Sequence, residues 1–167
     1  LAGNQKDPGK TTTYGVGQLL RSALDRGAKR LLLGLGGSAT NDGGCGMAAA
    51  CGVRFLDGKG RAFVPTGGTL ERIASIDLSG LDPRLREAEL TALCDIDSPL
   101  CGPAGAAAMF SPQKGADPAM TARLEAGLQR LRAVWQAQTG QDLQEISGGG
   151  AAGFGSGAPQ IVQKPSL

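Results

Sequence analysis

The chain has 167 residues, of which 41% are hydrophobic and 19% are charged, and its net charge is +2. This composition indicates a globular protein that is long enough to bury a core, and it excludes a disordered chain. The weak charge, the 4% of aromatic residues and the lack of a long apolar run give no sign of a nucleic-acid or membrane partner.

The spacing of apolar residues predicts helices that alternate with strands, which is the rhythm of α/β proteins. The clearest strand signal is the run 30–35, which is apolar at nearly every position and is typical of a strand buried on both faces in a parallel sheet. In chain order the predicted elements are a helix at 15–26, a strand at 30–35, a helix at 45–50, hairpin strands at 53–56 and 61–64, strands at 73–76 and 89–95, a helix at 106–110 and a helix at 118–138. We therefore expect an α/β fold with a mainly parallel or mixed sheet and flanking helices.

The long helix near the C-terminal end has the best-marked boundaries. Asp117 is a good N-cap, Pro118 suits the first helical position and Gly140 ends the helix. The stripe expected to be buried consists of Met120, Leu124, Leu128, Leu131 and Trp135. Thr13 is a candidate N-cap for the first helix.

The glycine-rich segment 34–44 carries the strongest chemical signal, because it joins the predicted strand to a helix and ligands of open α/β sheets bind beyond that end of a strand. Glycines there leave backbone N–H groups bare enough to face an anion, and neutral polar side chains add further contacts. The candidates for cofactor binding are Gly36, Gly37, Ser38, Thr40, Asn41 and Gly43. Asp42 could hold a cation or accept a proton. The alternative is an ordinary strand-to-helix turn that Asn41 or Asp42 caps.

Two later segments supply charged candidates. Asp95 and Asp97 lie two residues apart at a predicted strand end, where their oxygens could bind Mg²⁺ or substrate. Lys114 lies in a turn between Pro112 and Gly115 and could place its charge against a phosphate or carboxylate, with Gln113 beside it. Solvated turn acids and a surface lysine are the alternatives.

A dinucleotide-binding pattern, Gly-x-Gly-x-x-Ala, also fits Gly34, Gly36 and Ala39, and Asp57 stands roughly where a ribose-binding acid would. That pattern requires the helix to begin within the motif, whereas residues 40–44 are typical of a loop. A dinucleotide-binding oxidoreductase domain therefore stays open as an alternative.

The chain has four cysteines and no histidine, and none of the cysteines form a Cys-x-x-Cys pair. This pattern does not indicate a zinc site. We expect the cysteines to be small buried residues in the reducing environment of the cytoplasm.

Taken in order, these segments resemble the glycerate kinase family, which includes the bacterial glycerate 2-kinases. The resemblance covers about residues 6–155, and its landmarks are 11–20, 34–46, 76–85, 94–102, 112–116 and 148–155. It implies an enzyme that uses ATP and Mg²⁺ to phosphorylate glycerate, a small-molecule partner. For such an enzyme we hypothesise catalytic roles for Asp42, Asp95 and Lys114 and substrate or metal contacts for Asp95, Asp97 and Gln113, while the oligomeric state stays open.

The family is about twice as long and has two α/β domains. The resemblance implies that residues 1–157 form an incomplete central region, mostly of the second domain, followed by an irregular tail at 158–167. Gln18 stands where the family usually has Glu, and Ser111 and Phe154 stand where it usually has Gly. A non-catalytic truncated fragment is therefore a further alternative, and we expect little activity from the isolated chain.

Overall fold

The computed structural model describes residues 6–93 and 98–145. The helices are α1 (Tyr14–Asp25), α2 (Cys45–Ala50), α3 (Arg84–Glu87), α4 (Ala106–Phe110) and α5 (Pro118–Thr139). The strands are β1 (Arg30–Gly34), β2 (Arg54–Leu56), β3 (Ala62–Phe63), β4 (Ser75–Asp77) and β5 (Glu89–Leu93). Short 3₁₀ turns lie at Gly67–Arg72, Pro112–Lys114 and Leu143–Glu145. The predicted α/β class is confirmed.

The strands form two small sheets. In the first, β1 and β5 run parallel, with Arg30 opposite Glu89 and Gly34 opposite Leu93. In the second, β2 is central and pairs antiparallel with β3 and β4. The predicted hairpin is confirmed, since its turn is closed by Asp57, whose Oδ1 accepts hydrogen bonds from the backbone N–H groups of Lys59 and Arg61. The sheet arrangement is therefore mixed.

The prediction that the strand at 30–35 is buried on both faces is wrong for the described residues. Leu31 is buried with 8% of its surface exposed, but Leu32, on the opposite face, is 73% exposed. Leu93 of β5 is 55% exposed as well. A strand is buried on both faces only when layers cover both sides of its sheet, and in the described part of the chain one side is covered.

The ends of α5 agree with the prediction. The Asp117 side chain accepts a hydrogen bond of 2.7 Å from the Met120 N–H, and Gly140 ends the helix with a φ of 74°. Thr13 does precede α1, but its side chain does not cap that helix. Its hydroxyl group bonds to distant residues, as described below.

A single hydrophobic core lies between α5 and the elements around it. Leu124, Leu128 and Leu131 are fully buried and Trp135 nearly so, as predicted, whereas Met120 packs at the margin. One side of α5 covers the 3₁₀ turn Gly67–Arg72 and β4. In the described part of the chain, none of the helices has both the length and the apolarity needed to cross a bilayer.

Helices α1 and α2 pack against each other through glycine. A Cβ atom at Gly17 would lie 2.4 Å from the Met47 carbonyl oxygen and 2.7 Å from the Ala50 Cβ. The close approach of α1 and α2 therefore depends on the missing side chain at Gly17.

Cys45, Cys51 and Cys101 are buried free thiols, as expected, and Cys94 lies outside the described residues.

We expect Gly17→Ala to lower the free energy of unfolding by about 1–3 kcal/mol, because the added methyl group pushes α1 away from α2. Gly15→Ala in the same helix is the matched control, since a Cβ there meets nothing within 4 Å. That control should raise stability by up to about 1 kcal/mol through helix propensity. Urea unfolding followed by the fluorescence of Trp135 measures both, and equal effects of the two substitutions would contradict the packing account.

Candidate functional site

The candidate site lies where β1 and β5 end side by side. Leu35 continues the pairing, because its N–H donates a hydrogen bond of 3.0 Å to the Leu93 carbonyl oxygen, and the chain then leaves the sheet as a loop. We call residues 36–44 the glycine loop. Asp95 and Asp97 follow β5 but lie outside the described residues. Their predicted position near Asp42 stays a prediction.

The first part of the glycine loop has an open backbone. Gly36 and Gly37 are exposed, and a Cβ atom at either position would meet nothing within 4 Å. Gly37 has a φ of 65°, a conformation that favours glycine. Among the described residues, none accepts a hydrogen bond from either backbone N–H. These two amides are therefore available to an anionic ligand.

A cavity of about 190 Å³ lies beside these glycines. Its walls come from the end of β1, from the glycine loop and from the start of α1. The lining residues are Thr12, Thr13, Val16, Leu33, Gly34, Leu35, Gly36, Ser38, Ala39 and Thr40. The first turn of a helix carries partial positive charge. Because the start of α1 forms part of the wall, the cavity suits an anion.

The polar side chains after Gly37 differ in their surroundings. Ser38 Oγ and Thr40 Oγ1 lie 2.9 Å apart, and Ser38 Oγ also accepts a hydrogen bond from the Thr40 N–H. Asn41 is fully buried, and its Oδ1 and Nδ2 have no hydrogen-bond partner within the described ranges. Gly43 has a φ of 61° and packs against Leu131. Asn41 therefore has the capacity to bind a polar group that the described protein does not supply.

Lys114 reaches the glycine loop from the turn Pro112–Lys114, as its assignment to the site requires. Its side chain is buried, with the residue 4% exposed, and Nζ donates a hydrogen bond of 2.6 Å to the Thr40 carbonyl oxygen. Burial lowers the pKa of Lys114 to about 8, and the charge of Asp42 opposes this shift. Gln113, its neighbour, is exposed. The turn thus brings one buried cationic group to the loop.

Asp42 lies at the centre of the site and is fully buried. Its Oδ2 accepts hydrogen bonds from the Thr13 N–H at 2.7 Å, from Thr13 Oγ1 at 2.9 Å, and from Thr12 Oγ1 and the Gly46 N–H at 3.2 Å each. Its Oδ1 accepts one from the Gly44 N–H at 3.1 Å. Burial raises the pKa of Asp42, and these bonds oppose the shift. Both carboxylate oxygens therefore already have donors, and the catalytic role of Asp42 stays a prediction.

The three consecutive threonines before α1 contact the site, which residue spacing did not predict. Besides the bonds from Thr12 and Thr13, Thr11 Oγ1 donates a hydrogen bond of 2.7 Å to the Ala39 carbonyl oxygen. Hydroxyl groups just before a helix normally suggest local capping. The sequence signals of this second use were the run of three threonines and its place at the start of the landmark 11–20.

Metal ligands are not assembled by the described residues alone. No group of three or more acidic or cysteine side chains lies together as a metal site within residues 6–93 and 98–145. The oxygens of Asp42 are occupied by protein donors, and Asp95 and Asp97 lie outside these ranges. Magnesium binding therefore stays an expectation from the resemblance.

Comparisons of the sequence with a family model and with curated proteins point to the same family. A family model described as the glycerate kinase family matches residues 1–164. A glycerate kinase from Bacillus cereus is 49% identical over 163 residues, which are 98% of this chain and 43% of that protein. A glycerate 2-kinase from Escherichia coli is 43% identical over 154 residues, which are 92% of this chain and 40% of that protein. The chain thus spans less than half the length of these relatives.

The fold has a match among solved structures. A crystal structure from Salmonella typhimurium LT2, whose protein is provisionally named glycerate kinase 2, superposes with a TM-score of 0.91 at 46% sequence identity. The superposition covers 97% of this chain and 43% of that chain. The fold of this chain therefore matches that of the solved structure over nearly all of the sequence.

We expect Asp42→Asn to lower the free energy of unfolding by about 3 kcal/mol, because either orientation of the new amide turns an NH₂ group toward N–H donors inside the core. Asp25→Asn is the control, since the Asp25 side chain is 64% exposed where it bonds to Arg84, and its loss should change stability little. Urea unfolding monitored at Trp135 compares them. A stability of Asp42→Asn close to that of the unsubstituted chain would contradict this description of the site.

Proposed function

The chain belongs to the glycerate kinase family, and we propose that it supplies the phosphate-handling part of an ATP-dependent kinase that phosphorylates glycerate. Since the chain spans 43% of the length of the Bacillus cereus relative, the activity is proposed for the whole protein to which such a region belongs. The partners in this proposal are small molecules, and the expected location is the cytoplasm.

The observation that carries the proposal is the pair of open amides at Gly36 and Gly37, which stand beside a cavity with the buried ammonium group of Lys114 anchored to the same loop. Phosphoryl transfer requires a protein mainly to position the reactants and to neutralise charge that develops on the phosphate oxygens. Backbone N–H donors and a nearby buried cation, both supplied by the fold, suit these two requirements.

In this proposal the N–H groups of Gly36 and Gly37, together with the Ser38 hydroxyl, bind nucleotide phosphate oxygens. Lys114 offsets phosphate charge or holds the glycerate carboxylate. Asp95 and Asp97 are the proposed contacts to substrate or to Mg²⁺, an ion that neutralises phosphate charge when bound. With no histidine in the chain, any general base from this region is a carboxylate or a lysine.

The described geometry favours this function over a dinucleotide-binding domain. A dinucleotide fingerprint needs its helix to begin within the motif, but α2 begins at Cys45, well after Ala39. Asp57, the candidate ribose ligand, instead closes the hairpin turn and bonds to Arg61. Calorimetric titration should detect binding of ADP and none of NAD(P); binding of NAD(P) alone would support the oxidoreductase alternative. An assay with ATP and glycerate distinguishes a working enzyme from a non-catalytic fragment.

We expect Gly36→Val to weaken ADP binding about tenfold or more, because it adds bulk beside the open amides at a position where a Cβ meets no protein atom within 4 Å. Gly58→Val is the matched control, since a Cβ in that hairpin turn also meets nothing within 4 Å. Calorimetry gives the affinities and thermal unfolding confirms that both variants fold. Equal ADP affinity of the two variants would remove the glycine loop from the phosphate site.

Because the pKa of Lys114 is lowered, we expect the affinity for ADP to depend on pH. Its charged form predominates below a pKa of about 8, so ADP affinity should fall as the pH rises through that value and the ammonium group loses its proton. Lys114→Met should bind ADP more weakly and show a flatter profile between about pH 7 and pH 9. The ionisation of ADP is common to both proteins and cancels in the comparison. Parallel profiles would exclude Lys114 as the titrating group.

A further inference from the structure

We infer that the threonine triplet, Thr11–Thr13, is a positioning element that holds the glycine loop in its ligand-binding shape, with Asp42 as the group through which it acts. The inference rests on the proposed function, because the shape in question is the one that exposes the Gly36 and Gly37 amides. In this role Asp42 does not contact the reacting atoms; it transmits the position of α1 to the loop.

Thr13 makes the central contact. Its side chain is buried, and its Oγ1 accepts a hydrogen bond of 2.9 Å from the Met47 N–H while donating one of 2.9 Å to Asp42 Oδ2. Its backbone N–H donates to the same oxygen at 2.7 Å. One residue thus joins the start of α1, the first turn of α2 and the buried carboxylate.

The other two threonines extend the contact along the loop. Thr11 Oγ1 donates to the Ala39 carbonyl oxygen at 2.7 Å, and Thr12 Oγ1 donates to Asp42 Oδ2 at 3.2 Å. Because hydrogen bonds reach the loop at Ala39 and again at Asp42, the part of the loop from Ala39 onward is held at two separate points. The first two residues, Gly36 and Gly37, donate no backbone hydrogen bond to the described residues and lie beside the cavity.

The fit at Gly46 shows how closely the triplet approaches the loop. A Cβ atom there would lie 2.0 Å from Thr12 Oγ1, 2.7 Å from the Tyr14 backbone nitrogen and 2.9 Å from Asp42 Oδ2. Only glycine leaves room for the hydroxyl groups to reach the carboxylate. The contact between the triplet and the loop is therefore a tight internal one, formed by threonines of which Thr12 and Thr13 also line the cavity.

A loop held in this way binds ligand with a smaller loss of conformational entropy than a free loop. Removing the Thr13 hydroxyl should therefore have two linked effects: faster exchange of the loop amides with solvent and weaker binding of phosphate groups. If Thr13 only stabilised the fold, its replacement would speed amide exchange throughout the chain and not in the glycine loop alone.

The test compares Thr13→Val, which removes the hydroxyl at nearly constant volume, with Thr13→Ser, which keeps it. Thr139→Val is the control, since Thr139 Oγ1 donates within the last turn of α5 to the Trp135 carbonyl oxygen. Hydrogen exchange by mass spectrometry follows peptides that cover residues 36–46 and 118–139, and calorimetry measures the affinity for ADP and for inorganic tripolyphosphate.

We expect Thr13→Val to speed exchange of residues 36–46 about tenfold and to weaken both ligands about tenfold, with residues 118–139 unchanged. Thr13→Ser should restore both properties, and Thr139→Val should leave the loop and both affinities unaltered. Unchanged loop exchange in Thr13→Val, or faster exchange spread evenly over the whole chain, would overturn the inference. If Thr13→Val does not fold, Thr11→Val, which loses only the bond to Ala39, replaces it with the same expected direction.

The two proposals fail in different ways. If the unsubstituted chain binds neither ADP nor tripolyphosphate, the proposed function fails and the exchange of residues 36–46 alone decides whether the triplet orders the loop. If ligands bind and Thr13→Val leaves their affinity and the loop exchange unchanged, the positioning role fails while the proposed function stands.

Discussion

A carboxylate inside a protein core needs donors for its oxygens, and that requirement at Asp42 organises the middle of this structure. Removing a charge from water costs several kcal/mol unless hydrogen bonds compensate. Here the donors come from Thr12 and Thr13 and from the backbone at Gly44 and Gly46. The hydrogen bonds that these donors make to the Asp42 carboxylate therefore fix how α1, the glycine loop and α2 pack together. The small residues at Gly17 and Gly46 follow from the same constraint, because nothing larger permits these elements to come so close.

The parts of the fold that the sequence predicted well depend on neighbouring residues. The cap at Asp117, the stop at Gly140 and the hairpin turn at Asp57 all work over a few positions, so their residue types suffice. The burial of β1 was predicted incorrectly, because a run of leucines reports that a strand is apolar but not which of its faces another layer covers. Exposure of Leu32 is a property of the whole arrangement.

The same distinction applies to the site. The density of glycine and polar residues marked the loop, and the order of the segments marked Lys114, which the structure brings to Thr40 across 74 positions. The second use of the threonine triplet was not predictable in this way. Thr11 and Thr13 bond to residues 28 and 29 positions away, and nothing in a hydroxyl group indicates whether its partner is the adjacent helix or a distant carboxylate. Only the assembled fold supplies that pairing.

One side of the β1–β5 sheet is left uncovered by residues 6–93 and 98–145, and this affects how the isolated chain behaves in solution. Leu32 and Leu93 form an apolar strip there, and the net charge of +2 provides little repulsion between molecules. Exposed apolar strands of this kind favour clustering of protein molecules as concentration rises. This strip therefore lowers the colloidal stability of a concentrated sample of the isolated chain, and replacing Leu32 by a charged residue should raise it.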